Sequence, residues 1–249
     1  MSGLVDNLIW MQQNFRNLPD RKIPIYRVFS VHRFLETVSD RTLTLVPPEV
    51  WDDPFENLVL RHVLFRNLNV RLYGQCWTAN VDETDALWRI YSQDKNGVRV
   101  RSTVDRLFAA ITDLSRQSAP VEYWIGKVRY LTETNIRAEL ENPRKLQDGV
   151  LGSGAIGLVE TLLIKRREFE HENEIRLIYC AHSHYRDLTE PVVKFPIAPN
   201  DVFDEALFDP RMPPAAFEAY RDRLRAIGFA GTVEQSQLYQ VPNLKLALP

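Results

Sequence analysis

The alternation of apolar and polar positions is clearest between residues 172 and 179. Glu172, Glu174 and Arg176 fall on one side of a period-two pattern, and Ile175, Leu177 and Tyr179 on the other. Successive Cβ atoms of a strand leave opposite faces, so this spacing predicts a half-buried strand with a charged face. Strand character also marks IYRVF (25–29), RTLTLV (41–46), residues 57–65 and 71–79, GVRVRS after the Asn96-Gly97 turn, VEYWIGKVRYL (121–131) and VVKFPI (192–197), and TVEQSQLY closes the ordered part. Leu4, Leu8, Met11 and Phe15 fall at helical spacing and predict a helix over 3–17, within an N-terminal segment ending near residue 20. Further helices are expected over 31–38 behind Ser30 as N-cap, from Asp82 through Tyr91, and over 103–115. Another is expected over 155–168, with Lys165, Arg166 and Arg167 at its C-terminal end, and one from Pro213-Pro214 to Ile227, stopped by Gly228. Residues 132–150 are polar and weakly patterned, which predicts a surface insertion, and 240–249 read as a tail.

Short strands with interspersed helices, without regular βαβ units, predict an α+β fold. The expected arrangement is one domain over residues 1–249, with mixed, mostly antiparallel sheets flanked by helices. A chain of 249 residues with 45% hydrophobic content can bury one sizeable core. A net charge of −2 argues against a broad nucleic-acid surface. Two cysteines are too few for a secreted disulfide framework, and neither a signal pattern nor a membrane-length apolar run occurs. Cytoplasmic location without a membrane partner is therefore expected.

Familiar catalytic signatures give little: the sequence has no P-loop, H-E-x-x-H or G-x-S-x-G, and its G-x-G-x-x-G match, GSGAIG (152–157), follows a polar segment and not a strand and is discounted. His182 and His184 share a strand face, but two histidines alone are a poor zinc signature, so no metal is expected. What remains is a distributed set of polar and aromatic side chains. Tyr26 and Arg27 sit on the first strand. The W-D-D-P-F-E turn supplies Asp53 and Glu56. Thr78 ends a strand, and Trp88 and Tyr91 lie about one turn apart on the next helix. Lys165, Glu172, Glu174 and Arg176 follow late in the chain. Each has a plain structural reading: aromatic residues in a core, Asp52 or Asp53 capping a turn, Arg27 paired with a glutamate, E-x-E-x-R as a self-neutralising ladder.

The W-D-D-P-F-E turn, Cys76-x-Thr78 before Trp88-x-x-Tyr91, Asn96-Gly97-Val98 and K-x-x-x-F-x-x-E-x-E-x-R-L from Lys165 to Leu177 resemble a bacterial family known as domain of unknown function 2971. The resemblance spans roughly residues 24–180, with Asp209-Pro210-Arg211 and S-x-L-Y near the end also similar. Many relatives show a serine where this chain has Cys-Trp-Thr. A second resemblance is one of motif order. ADP-ribosyltransferases of the arginine-type set carry an early Arg, a middle Ser-Thr-Ser and a late Glu-x-Glu; here the order is Arg27, Cys76-Trp77-Thr78, Glu172-Asn173-Glu174. Only Thr78 supplies a hydroxyl of the middle motif. That resemblance implies an ADP-ribosyltransferase-like core using NAD as substrate. Glu174 would stabilise an oxocarbenium-like ribose, and Glu172 would orient or deprotonate an acceptor. Arg27 would grip the pyrophosphate, with Trp88 or Tyr91 walling the nicotinamide. It also implies a macromolecular acceptor, not identified by the sequence, and a toxin or phage-defence setting. A non-catalytic protein-binding domain and a nucleic-acid-processing enzyme are the alternative expectations.

Overall fold

The structure, a computed structural model, describes residues 14–51, 53–57, 69–112, 122–142, 155–184 and 186–242. All but the first residue of the strand expected over 57–65, and most of the expected N-terminal helix, lie outside these. Phe15–Arg16 form a two-residue strand, β1, not the end of a helix. It is followed by β2 (Pro24–Ser30), α1 (Val31–Ser39), β3 (Thr42–Leu45), β4 (Val70–Thr78), α2 (Asp85–Tyr91), β5 (Gly97–Thr103) and α3 (Val104–Ile111). Then come β6 (Glu122–Lys127), β7 (Arg129–Leu131), α4 (Glu133–Leu140), α5 (Ala155–Thr161), β8 (Ile164–Arg166) and β9 (Glu174–His182). The chain closes with β10 (Val193–Pro196), α6 (Pro199–Val202), β11 (Glu205–Phe208), α7 (Pro214–Ala226) and β12 (Thr232–Gln235).

The fold is α+β, as the pattern predicts. Eight strands form one mixed sheet in the order β1-β6-β9-β4-β2-β5-β11-β12, in which only β1–β6 and β11–β12 are parallel. β10–β3 and β7–β8 are separate two-stranded pairs. One apolar layer, with Ile25, Phe34, Trp77, Val100, Ile175 and Phe203, covers one face of the sheet. A second, with Leu72, Trp124, Leu158, Leu162 and Ile178, covers part of the other. β9 lies between β6 and β4 and is buried on both faces over Glu174–Ala181. Its charged face is therefore not solvated, contrary to the half-buried strand expected from alternation. Period two alone does not say what covers the polar side.

Several local expectations hold, and others shift for identifiable reasons. Ser30 caps α1 by accepting from the Arg33 amide, but α2 is capped by Thr84 and not Asp82. The long strand over 121–131 breaks at Val128, whose amide turns to the Glu174 carbonyl, so β7 leaves the main sheet to pair with β8. Within the expected insertion, residues 133–140 form α4, and Arg129 pairs with Glu139. The helix expected over 155–168 stops at Thr161. Lys165 lies on β8, and residues 167–172 form a 3-10 helix. Asn173 ends that turn with φ 46°, a left-handed conformation asparagine tolerates better than β-branched residues. Glu172 and Glu174 therefore do not sit on one strand: the first ends a 3-10 helix and the second begins β9.

One irregularity positions the site. β2 and β4 share a single ladder pair, Tyr26↔Thr78, and then diverge. Further back along β4, Gly74 exchanges both backbone hydrogen bonds with Val46 instead. The sheet is thus split beside Gln75–Trp77. The Trp51 ring packs on Gly74 so closely that a Cβ there would lie 2.9 Å from ring carbon Cζ2.

Candidate functional site

A cleft of about 800 Å³ opens at the split. Tyr26, Arg27, Asp53, Glu56, Thr78, Tyr91, Lys165, Glu172 and Glu174 all line it, as do Trp51, Asn80 and Phe169. Tyr26, Thr78 and Glu174 are register partners across β2, β4 and β9, so they form a row on one face. Arg27 leaves β2 on the opposite face by strand alternation. It reaches the cleft because the strands have parted, and its guanidinium donates to the Cys76 carbonyl where a ladder bond would otherwise form. Its Nε has no partner, and no carboxylate among the described residues lies within ion-pair distance of it. Burial pulls the Arg27 pKa down; Cys76 and Glu174 partly restore it.

A compact charge cluster forms part of the cleft wall, backed by Arg176. Lys165 Nζ pairs with Glu56 Oε1 at 2.9 Å, with Glu174 Oε1 at 3.1 Å, and with Glu172. Arg176 has no exposed surface. It donates to Glu174 Oε2 at 2.7 Å, Glu56 Oε1 at 2.9 Å and the Leu162 carbonyl at 2.6 Å, with its guanidinium 4.6 Å from the Trp51 ring centroid. Burial would raise the Glu174 pKa. The Arg176 charge opposes this most strongly, joined by a hydrogen bond with Glu172 and by Lys165, and together they hold Glu174 down at about 2. Burial, then the hydrogen bond with Glu174, pushes Glu172 up to about 7. Two neighbouring carboxyls are thus held in different protonation states. With Glu172 protonated, the charges of Glu56, Glu174, Lys165 and Arg176 cancel.

The surrounding turns exist to hold these groups. In W-D-D-P-F-E, Asp53 accepts the Phe55 amide and forms a two-point pair with Arg166. Arg166 and Lys165 lie over the Phe169 ring at 5.1 and 4.7 Å. The Thr78 hydroxyl donates to the Glu172 carbonyl at 2.6 Å and accepts the Asn80 amide, which fixes the 3-10 turn against β4. Tyr130 Oη accepts the Glu174 amide at 2.8 Å.

Most of the residues expected from sequence come together, with two exceptions. Trp88 is fully buried, does not line the cleft, and donates through Nε1 to Glu83; it anchors α2. Arg176 supports the cleft from behind without lining it. Tyr91, half-exposed at the mouth, is the aromatic residue that α2 offers. The expected alternative pairing of Arg27 with a glutamate does not occur among the described residues. Several contributors are harder to read from sequence. Phe169 is the F of K-x-x-x-F. Asp209 and Arg211 hold the C-terminal end of α2, where Ser92 donates to Asp209 at 2.5 Å and Arg211 donates to the Trp88 and Ser92 carbonyls. Ser236 donates to Glu83, and Tyr239 to Asp85. The D-P-R and S-x-L-Y elements are therefore both anchors for the helix that carries Tyr91. Nothing in the sequence marks Tyr130.

Residues 87–177 match the family model described as "Protein of unknown function (DUF2971)". The DUF2971 match includes Tyr91, Lys165, Glu172, Glu174 and Arg176, and leaves Arg27, Asp53, Glu56 and Thr78 outside its bounds. No curated protein sequence matches the chain. A solved structure of Thermus sp. 2.9 DarT in complex with NAD+ aligns over 88% of this chain and 97% of that one, at 12% identity and a TM-score of 0.38. No described helix is long and apolar enough to cross a membrane.

Proposed function

We propose that the cleft binds NAD and cleaves its nicotinamide–ribose bond, passing ADP-ribose to an acceptor or to water. One observation carries this reading. The same cleft holds a cation without a carboxylate partner, Arg27, and a carboxylate kept ionised, Glu174. The first suits a pyrophosphate, and the second suits positive charge developing on a sugar. The volume, about 800 Å³, lies in the range of cofactor sites, and Tyr26, Trp51, Tyr91 and Phe169 offer aromatic walls.

In the proposed reaction the bond from ribose C1′ to the pyridinium nitrogen breaks, and its electron pair goes to that nitrogen. Nicotinamide leaves neutral, so no acid is required. The positive charge moves to the ribose ring beside Glu174. Lys165 and Arg176 restrain the Glu174 carboxylate, which leaves room for a ribose hydroxyl on its remaining lone pair. The acceptor then bonds to C1′ and gives its proton to Glu172. Transfer to an acceptor therefore needs Glu172 unprotonated, and kcat/KM for transfer should rise with pH to a plateau above about 7. In Glu172→Gln the rise should disappear and transfer should fall about 10²-fold. An unaltered profile in that variant removes Glu172 from the reaction.

Arg27→Lys retains the charge and loses the planar fork. NAD affinity should weaken by about tenfold, read by calorimetry. The decisive test is incubation with NAD followed by detection of free nicotinamide and of modified macromolecules. Absence of both, with no thermal shift from NAD, sinks the proposal. The charge cluster's internal neutrality favours a second reading, a binding cleft without chemistry. It predicts NAD binding without nicotinamide release.

A further inference from the structure

We propose that Glu122, Cys180 and His182 form a binding site for a zinc-class divalent cation, at the end of β9 opposite the cleft. Cys180 and His182 are two apart on β9, and Glu122 is the register partner of Cys180 on β6. All three side chains therefore leave the sheet on one face. One ligand atom from each falls within 4.8 Å of the others. Cys180 Sγ lies 3.8 Å from His182 Nε2, and His182 Nε2 lies 3.1 Å from Glu122 Oε2. Tetrahedral zinc, with bonds of about 2.3 Å to sulfur and about 2.0–2.1 Å to nitrogen and oxygen, sets those separations near 3.5 Å and 3.4 Å. These two contacts thus fall within a few tenths of an ångström of what a bound ion needs.

Chemistry and access point the same way. A thiolate, an imidazole and a carboxylate together suit zinc better than the oxygen-seeking cations magnesium and calcium. Cys180 is fully buried against the second apolar layer, which makes one wall rigid. The side chains of His182 and Glu122 are 29% and 42% exposed, which gives an ion entry and leaves a fourth position for solvent. The site draws its ligands from two neighbouring strands, so a bound ion would clip β6 to β9. Cys180 to Glu174 spans six residues of strand, about 20 Å, so the site is separate from the cleft. The histidines alone do not suggest it, because the third ligand comes from another strand and the second from a cysteine two residues before His182.

The test uses the full chain stripped of metal by a chelator and free of any histidine tag. Zinc titration against a chromophoric indicator should give one equivalent per chain, with a melting temperature that rises as zinc saturates. Cobalt(II) as a probe should produce a thiolate charge-transfer band, which Cys180→Ser removes. Should Cys180→Ser fail to fold, His182→Ala and Glu122→Gln decide, since both positions are partly exposed. Each should weaken zinc binding by at least about tenfold with the metal-free melting temperature unchanged. Absence of stoichiometric binding overturns the proposal. So does binding that both variants leave intact, or a cobalt complex without the thiolate band in the unaltered protein.

Discussion

Glu174→Gln should lower nicotinamide release from NAD by about 10²–10³-fold while NAD binding changes by no more than a few-fold. The loss is large because the amide keeps the shape of the side chain and removes the charge that faces the developing cation. Binding survives because Arg27 and the aromatic walls are untouched. The fold should also survive, for a reason specific to this cluster. Glu172 is raised by burial and by its hydrogen bond with Glu174. With the Glu174 charge gone, the Glu172 pKa should fall, and its carboxylate then supplies the negative charge that Lys165 has lost, while Arg176 keeps Glu56. The variant should accordingly melt within a few degrees of the parent. Nicotinamide release at the parental rate would leave the cleft as a binding site only. A large loss of NAD affinity would place Glu174 in ground-state binding instead of the transition state.

The native protonation pattern has its own signature in stability. The folded Glu172 holds its proton up to about 7, above the ordinary carboxylate value. Across that window the folded chain binds more protons than the unfolded one at this position, so its contribution to stability falls as pH rises. Glu174 acts in the opposite sense. Held down at about 2, it stabilises the fold above the ordinary carboxylate value and ceases to do so as pH falls toward 2.

Local patterns announced most of the frame and little of the assembly around the cleft. β2, β3, β5, β10 and α7 follow from alternation, caps and the Pro–Gly boundaries, because those signals act within a few residues. Arg27, Thr78 and Glu174 were legible as an ordered series, and the register across β2, β4 and β9 sets Tyr26, Thr78 and Glu174 side by side. The 3-10 turn over 167–172 was not legible, since its charged sequence suits a helix end equally well. It depends on Asn173 turning left-handed and on Thr78 holding the Glu172 carbonyl, and the second contact bridges 94 positions. The split of the sheet was hidden for the same reason. It arises where the Val46 backbone and the Arg27 side chain, both distant in the chain from β4, take the place of the β2 backbone as partners of β4. Trp88 misled because burial and ligand stacking draw on the same aromatic surface.

Arg176→Met should destabilise the fold by about 3–5 kcal/mol, which for a chain of this size lowers the melting temperature by about 6–20 °C. The methionine fills similar volume, so the loss measures charge more than packing. Arg176 has no exposure and faces Glu56 and Glu174, both of which are buried. Without it those two carboxylates share one cation, Lys165. The sulfur side chain also leaves the Leu162 carbonyl and the Trp51 ring without the guanidinium that now meets them. Arg166→Met is the matched comparison. Arg166 pairs with Asp53, but its own side chain is 30% exposed, so water replaces much of what is lost and the cost should stay near ~1 kcal/mol. The pH dependence separates charge from cavity effects. In Arg176→Met nothing holds Glu174 as low as about 2, so the deficit against the parent should be greatest near neutrality and narrow below the ordinary carboxylate value. A deficit that stays constant down to pH 3, or one equal in the two variants, would show that Arg176 contributes packing and that the cluster is not held by its charge.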